Sequence, residues 1–332
     1  MKKHTARWAI PALTTIPLLV LSTLYAPSAL ASPQENKPTR YVALGDSYAS
    51  GFGLGNYTPL PAAGCSQSHD NYPHRIAQAL GYQLDDATCS GATIANIVSV
   101  PQKTTVGAIA PTQLNSLTPE TDLVTVTIGG NDMGFYSVLS QCAAWGPQGS
   151  LILGKGNNCK AKYAPDGGID QLRETLEKTV KPAFDNLLAT ISATAKNAKI
   201  LVVGYPALFP GAIHVPQDAK GCFTPALTII PPKTFPDSYP FTTIDTEYLH
   251  GVQIEMNDMQ KSIAAKHGAQ FVDTFRDSGG NTPCASNKNS FISGITMKGL
   301  SLADGVMHPN QTGAAFLTVS TMEALTGAGT RP

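Results

Sequence analysis

The sequence is poor in charge. Only 14% of its 332 residues are Asp, Glu, Lys or Arg, and the formal net charge is zero. That excludes a chain held open by self-repulsion, and 42% hydrophobic residues supply ample material for a packed core. No basic face is visible, so nucleic acid is not an expected partner. Past residue 25 no apolar run is long enough to span a bilayer. The chain has no Cys-x-x-Cys pair, which argues against a zinc site, and it has neither His-Glu-x-x-His nor a phosphate-binding P-loop. It also lacks an internal repeat and an interdomain linker.

What is present begins with an export signature. Lys2, Lys3 and Arg7 precede an apolar run from Trp8 to Tyr25, broken by Pro11 and Pro17, and Ala29-Leu30-Ala31 closes it. This pattern predicts a signal peptide over residues 1–31, cut after Ala31, and a chain delivered to the extracellular or periplasmic space. Removing it leaves 20 basic against 23 acidic residues. Residues 32–39 read as a mobile leader, 40–327 as a single domain and 328–332 as a tail. The six cysteines, Cys65, Cys89, Cys142, Cys159, Cys222 and Cys284, suit three disulfides in an exported protein. Fifteen connectivities are open. Sequential pairing is the expectation, because it closes three local loops that do not cross.

Four short runs rich in β-branched residues end at or beside a glycine or aspartate: 41–44, 122–128, 199–203 and 270–273. Such runs predict strands buried on both faces, as in a parallel sheet. Helical patterns fall between and after them at 72–80, 169–195, 246–267 and 311–325, with Pro182 expected to kink the second. The alternation predicts a three-layer α/β fold. Residues 142–166 and 205–245 fit neither pattern. The second carries Tyr205, Phe209, Phe223, Phe235, Tyr239 and Phe241, apolar enough to receive an acyl chain.

Ligands of open parallel sheets bind past the carboxyl ends of the strands. Gly45-Asp46-Ser47-Tyr48-Ala49-Ser50-Gly51 and Gly129-Gly130-Asn131-Asp132 stand there, with Cys89-Ser90-Gly91-Ala92 between them and His308-Pro309-Asn310 near the C-terminus. Together they supply a hydroxyl nucleophile (Ser47), a base (His308) and donors for an oxyanion (the Ser47 and Gly91 N–H groups and the Asn131 amide). Each block alone has a blander reading as a turn or a structural histidine. Asp46 and Asp132 are expected to accept backbone N–H bonds that shape their loops, and Tyr48 and Ser50 to support the nucleophile. No Gly-x-Ser-x-Gly surrounds Ser47, which disfavours the α/β-hydrolase elbow. Gly51-Phe52-Gly53-Leu54-Gly55 is expected to form a mobile loop beside the site. An imidazole with an ordinary pKa predicts loss of activity below roughly pH 6–7.

These four blocks, in this order, resemble the SGNH hydrolases (the GDSL lipase/esterase family), in particular their secreted, disulfide-bearing bacterial lipase-like branch. The resemblance covers roughly residues 40 to 327. It implies a flavodoxin-like α/β/α sandwich with a central parallel sheet, sequential disulfides, Ser47 as nucleophile, His308 as base, and Ser47, Gly91 and Asn131 as the oxyanion hole. One departure stands out. The family commonly has aspartate three residues before the histidine, where this chain has Gly305. Either Asp304 reaches His308 or a backbone carbonyl near Gly305 orients the ring; the carbonyl is favoured, and Asp304 stays a candidate site residue.

The expected activity is hydrolysis of carboxylic esters, lipid esters first, by a monomer that needs no metal or cofactor. A polysaccharide or polyester deacylase and a catalytically silent binding module are the alternatives.

Overall fold

The computed structural model describes residues 37–150, 158–218, 221–229, 232–285, 289–299 and 301–327. The expected signal peptide, most of the leader and the tail at 328–332 lie outside them. Five parallel strands form the central sheet: β1 (Arg40–Gly45), β2 (Gln83–Asp86), β3 (Leu123–Thr127), β4 (Lys199–Val203) and β5 (Gln270–Val272), in the order β5-β4-β3-β1-β2. That is the flavodoxin-like order. Four of the strands stand where the β-branched runs put them. The edge strand β2, Gln-Leu-Asp-Asp, alternates exposed and half-buried residues and carries no apolar run to betray it.

Alternation along the strands builds two apolar layers. Tyr41, Ala43, Leu123, Leu201 and Val203 face one side, where Tyr72, Ile76 and Leu317 cover them. Val42, Leu44, Val124, Val126 and Val202 face the other, against Ile97, Leu187, Leu188 and Ile263. The first cover comes from helices α2 (Tyr72–Leu80) and α7 (Gln311–Thr326). The second comes from α3 (Ile94–Val98), α5 (Lys181–Thr194) and α6 (Thr243–Lys266). Two short helices belong to the site: α1 (Ser47–Ser50) and α4 (Phe135–Cys142).

The kink expected at Pro182 takes a definite form. Gln171–Thr175 is α-helical, Leu176–Val180 widens to a π-turn, and α5 follows. Proline has no N–H for the carbonyl four residues back and its ring crowds that carbonyl; the wider turn relieves both. α6 begins at Thr243, three residues before the expected start, because Thr242 caps it by accepting the Asp245 N–H at 3.1 Å.

All three disulfides pair sequentially: Cys65–Cys89, Cys142–Cys159 and Cys222–Cys284. The stretches at 142–166 and 205–245 hold short hairpins, Ala144–Gly146 with Gly149–Ser150 and Leu227–Ile229 with Pro232–Thr234. Among the described residues no helix is long and apolar enough to cross a membrane.

Candidate active site

In this strand order the chain runs from β1 outward to β2, then returns to the other side of β1 as β3. The carboxyl ends of β1 and β3 therefore flank the switch point, where a crevice opens. β1 ends on Gly45 at φ +150°, and a Cβ there would lie 2.5 Å from the Thr127 carbonyl oxygen and 2.8 Å from the Ala49 Cβ. Only glycine lets the chain leave the strand this closely. Asp46 then caps α1, its Oδ1 accepting the Tyr48 N–H at 2.9 Å. Ser47 becomes the first residue of that helix, 8% exposed.

His308 comes to it from 261 residues away. Its Nε2 lies 2.7 Å from Ser47 Oγ, and its Nδ1 lies 2.8 Å from the Val306 carbonyl oxygen. A carbonyl can only accept, so Nδ1 carries the proton and Nε2 offers its lone pair to the serine hydroxyl. The ring packs between Tyr48 and Phe52, at centroid distances of 4.9 and 5.1 Å. Tyr48 also donates its hydroxyl to the Met307 carbonyl. Burial lowers the His308 pKa from its ordinary 6.5 to about 4, against a smaller upward pull from Val306. The pH limit expected from the sequence assumed an exposed imidazole, and the aromatic enclosure moves it towards acid.

Asp304 is exposed on the cavity wall and makes no hydrogen bond among the described residues. The place beside Nδ1 is held by the Val306 carbonyl. The departure at position 305 has a steric cause. A Cβ on Gly305 would fall 2.7 Å from the Gly53 Cα, and one on Gly53 would fall 2.4 Å from the Gly305 Cα. The glycine-rich loop after α1 thus lies backbone to backbone on the histidine loop. It is also tied by the Gly53 N–H donating to the Tyr57 hydroxyl at 2.8 Å.

The loop after β3 carries Asn131 into the cavity, and its Nδ2 donates to the Ala92 carbonyl at 2.8 Å, leaving the second amide hydrogen for a ligand. Gln260 of α6 steadies the same loop by donating to the Ile128 carbonyl at 2.8 Å. Gly91 precedes Ala92 at φ +82°, exposed and outside the cavity lining. Its turn is pinned by the Cys65–Cys89 disulfide and by the Ser90 N–H donating to the Cys65 carbonyl. The N–H groups of Ser47 and Gly91 have no acceptor among the described residues.

Both aspartates shape loops. Asp132 accepts the Ile94 N–H at the head of α3, and burial raises its pKa. Asp46 is fully buried, and burial pushes it up to about 7 against the opposing hydrogen bonds from the Tyr205 hydroxyl and the Tyr48 N–H.

A cavity of about 780 Å³ opens over Ser47, Asn131 and His308. Much of its wall comes from Phe135, Val138 and Leu139 of α4 and Leu249, Val252 and Met256 of α6, residues that the sequence did not single out. Of the six aromatic residues of 205–245, only Tyr205 and Phe209 reach it. Tyr239 and Phe241 sit in the core against Phe209, with ring centroids at 6.5 and 5.5 Å. Hydrophobicity alone does not separate a core side chain from a cavity side chain. The lining contains no lysine or arginine among the described residues, and its carboxylates are Asp46 and Asp304. No group of three or more His, Cys, Asp or Glu among the described residues could hold a metal ion.

The GDSL-like lipase/acylhydrolase family model matches residues 43–316. Lipase 2 of Streptomyces coelicolor is 32% identical over 300 residues, covering 90% of this chain and 90% of the relative. An esterase of Streptomyces scabiei is 32% identical over 276 residues, covering 78% and 76%. Among solved structures, phospholipase A1 from Streptomyces albidoflavus superposes with a TM-score of 0.63 at 24% identity, over 86% of this chain and 99% of that one. An extracellular lipase from Streptomyces rimosus superposes equally, at 23% identity, with coverages of 86% and 99%. The structures agree in fold. With 274 residues inside the family model and two relatives above 30% identity, the chain belongs to the GDSL-like lipase/acylhydrolase family and is a carboxylic ester hydrolase.

Proposed function

We propose that this protein cleaves lipid esters through an acyl-enzyme on Ser47, with His308 as base. The observation that carries the reading is the 2.7 Å contact between Ser47 Oγ and the lone-pair nitrogen of His308 at the floor of an apolar cavity. Ser47 Oγ bonds to the acyl carbon while its proton passes to Nε2. The carbonyl oxygen becomes an oxyanion that takes hydrogen bonds from the Ser47 and Gly91 N–H groups and the Asn131 amide. The C–O bond to the alcohol then breaks, and the imidazolium returns its proton to that oxygen. Water then attacks the acyl carbon and gives a proton to His308; the acyl–Oγ bond breaks, Ser47 Oγ takes that proton back from the imidazolium, and the free acid leaves. The Val306 carbonyl holds Nδ1–H throughout, in the place that a carboxylate takes in a three-membered system.

The cavity favours an acyl chain over an anionic head group, since its lining has no cation among the described residues. The names of the relatives, lipase and esterase, point the same way. Export after cleavage following Ala31 fits three disulfides, which persist in oxidising compartments. Residues 40–327 serve as one catalytic domain, and because every group named above comes from one chain, a monomer suffices.

Hydrolysis of p-nitrophenyl esters from acetate to palmitate tests the reading, with Ser47→Ala as control. Long-chain turnover should drop at least about 10³-fold in the variant. Surviving turnover would remove Ser47 from the mechanism. Activity confined to acetate would favour a polysaccharide or polyester deacylase, and none at all the binding module.

A further inference from the structure

We propose that Tyr205 is a positioning residue for ester hydrolysis, its hydroxyl tying the Asn131 loop to the Ser47 turn. The inference rests on the reading of Ser47 and Asn131 just given. β1, β3 and β4 lie side by side, and the loops that leave them converge on the crevice. The Asp46 N–H still reaches the Thr127 carbonyl at 3.0 Å, but beyond that bond the sheet no longer registers one loop against the next. Tyr205, two residues past the end of β4, takes over. Its hydroxyl accepts the Gly130 N–H at 3.0 Å and donates to Asp46 Oδ2. The other oxygen of that carboxylate caps α1 at Tyr48. One buried phenol thus joins the residue before the proposed oxyanion amide to the residue before the nucleophile.

The connection continues to the base. The Tyr205 ring meets Tyr48 edge-on at 4.8 Å, and Tyr48 packs on His308 while donating to the Met307 carbonyl. Tyr205 is 8% exposed, so little water is at hand to replace either hydrogen bond. Without the hydroxyl, the Gly130 N–H and Asp46 Oδ2 both lose a partner and the two loops are free to separate by fractions of an ångström. Displacements of about 1 Å can cost roughly a hundredfold in rate. Tyr205 touches no reacting atom in this scheme; its effect passes through the position of Asn131.

Steady-state kinetics on one p-nitrophenyl ester test this with wild type, Tyr205→Phe, Asn131→Ala, the double variant and Ser47→Ala. Tyr205→Phe should lower kcat roughly 10- to 100-fold, with KM within about threefold. Asn131→Ala should cost less in the Tyr205→Phe background than in wild type, because its donor is already misplaced. A wild-type kcat in Tyr205→Phe, or losses that multiply independently, would overturn the assignment while an inactive Ser47→Ala leaves the mechanism standing. Activity in Ser47→Ala would overturn the mechanism itself. If Tyr205→Phe does not fold, Asp46→Asn keeps an oxygen for the Tyr48 N–H and puts an amide NH2, a donor, where Oδ2 accepts the Tyr205 hydroxyl. It should give the same kcat-selective, non-multiplying loss, and a wild-type kcat there would equally overturn the proposal.

Discussion

His308 faces Ser47 as a neutral imidazole because its surroundings resist a charge. Two aromatic rings flank it and its hydrogen-bond partners, the Val306 carbonyl and the Ser47 hydroxyl, carry no charge, so burial lowers its pKa to about 4. In the proposed mechanism the neutral form is the active one, and a lowered pKa carries it to lower pH. The acid limb of kcat/KM should therefore fall well below pH 6, and a pH profile on a non-ionising ester reads it directly. A limb at the ordinary value of about 6.5 would mean that the enclosure opens in solution. Gly305 gives a second residue-scale prediction. Restoring the family's aspartate as Gly305→Asp should lower both activity and thermal stability, by about 1–3 kcal/mol, since the side chain meets Gly53 and the backbone sits at φ +76°. Enhanced turnover would show that the loop can yield. Ser47, Asn131 and His308, which the fold brings to one cavity, could be picked out of the sequence because they lie in short local blocks. Tyr205 could not be picked out in this way, because the role proposed for it rests on its contacts with Gly130 and Asp46, which are 75 and 159 positions away.

Among the strands, those buried on both faces were the most legible. β1, β3 and β4 announce themselves because packing on both faces demands apolar residues throughout, whereas β2 shows one face to water and reads as a polar stretch. The long helical pattern at 169–195 was visible, but the π-turn before Pro182 was not, since side-chain periodicity does not report backbone hydrogen bonding. α7 shows how an element serves the site. Its cap, Asn310, stands two residues after His308, accepts the Gly313 N–H at 2.9 Å and donates to the Ser290 carbonyl at 2.8 Å. Asn310→Ala should lower stability by about 1–2 kcal/mol in denaturant titration, with a fall in kcat as the preceding loop loosens. A stability loss with kcat intact would separate the helix from the placement of His308.

Across the whole molecule the disulfides fasten the loops that surround the sheet. Cys222–Cys284 spans 62 residues, against 24 for Cys65–Cys89 and 17 for Cys142–Cys159. Loop-closure entropy then assigns the first about 4 kcal/mol and the others about 3 kcal/mol each. Replacing the 222–284 pair by serine should lower the melting temperature most. Replacing the 65–89 pair should weigh more on kcat, because that bond pins the turn bearing Gly91. Equal effects of the two replacements on both quantities would contradict this division.

The cavity wall, with carboxylates and no cation among the described residues, also governs what happens after chemistry. In the proposed reaction a neutral ester enters, and the acid that remains is an anion beside Asp304, and beside Asp46 once that group ionises above its raised pKa of about 7, with no cation to hold it. Departure of the product is thus favoured electrostatically. On the lipid-ester proposal, free fatty acid should be a poor inhibitor, weaker as pH rises, so that turnover continues as the acid accumulates.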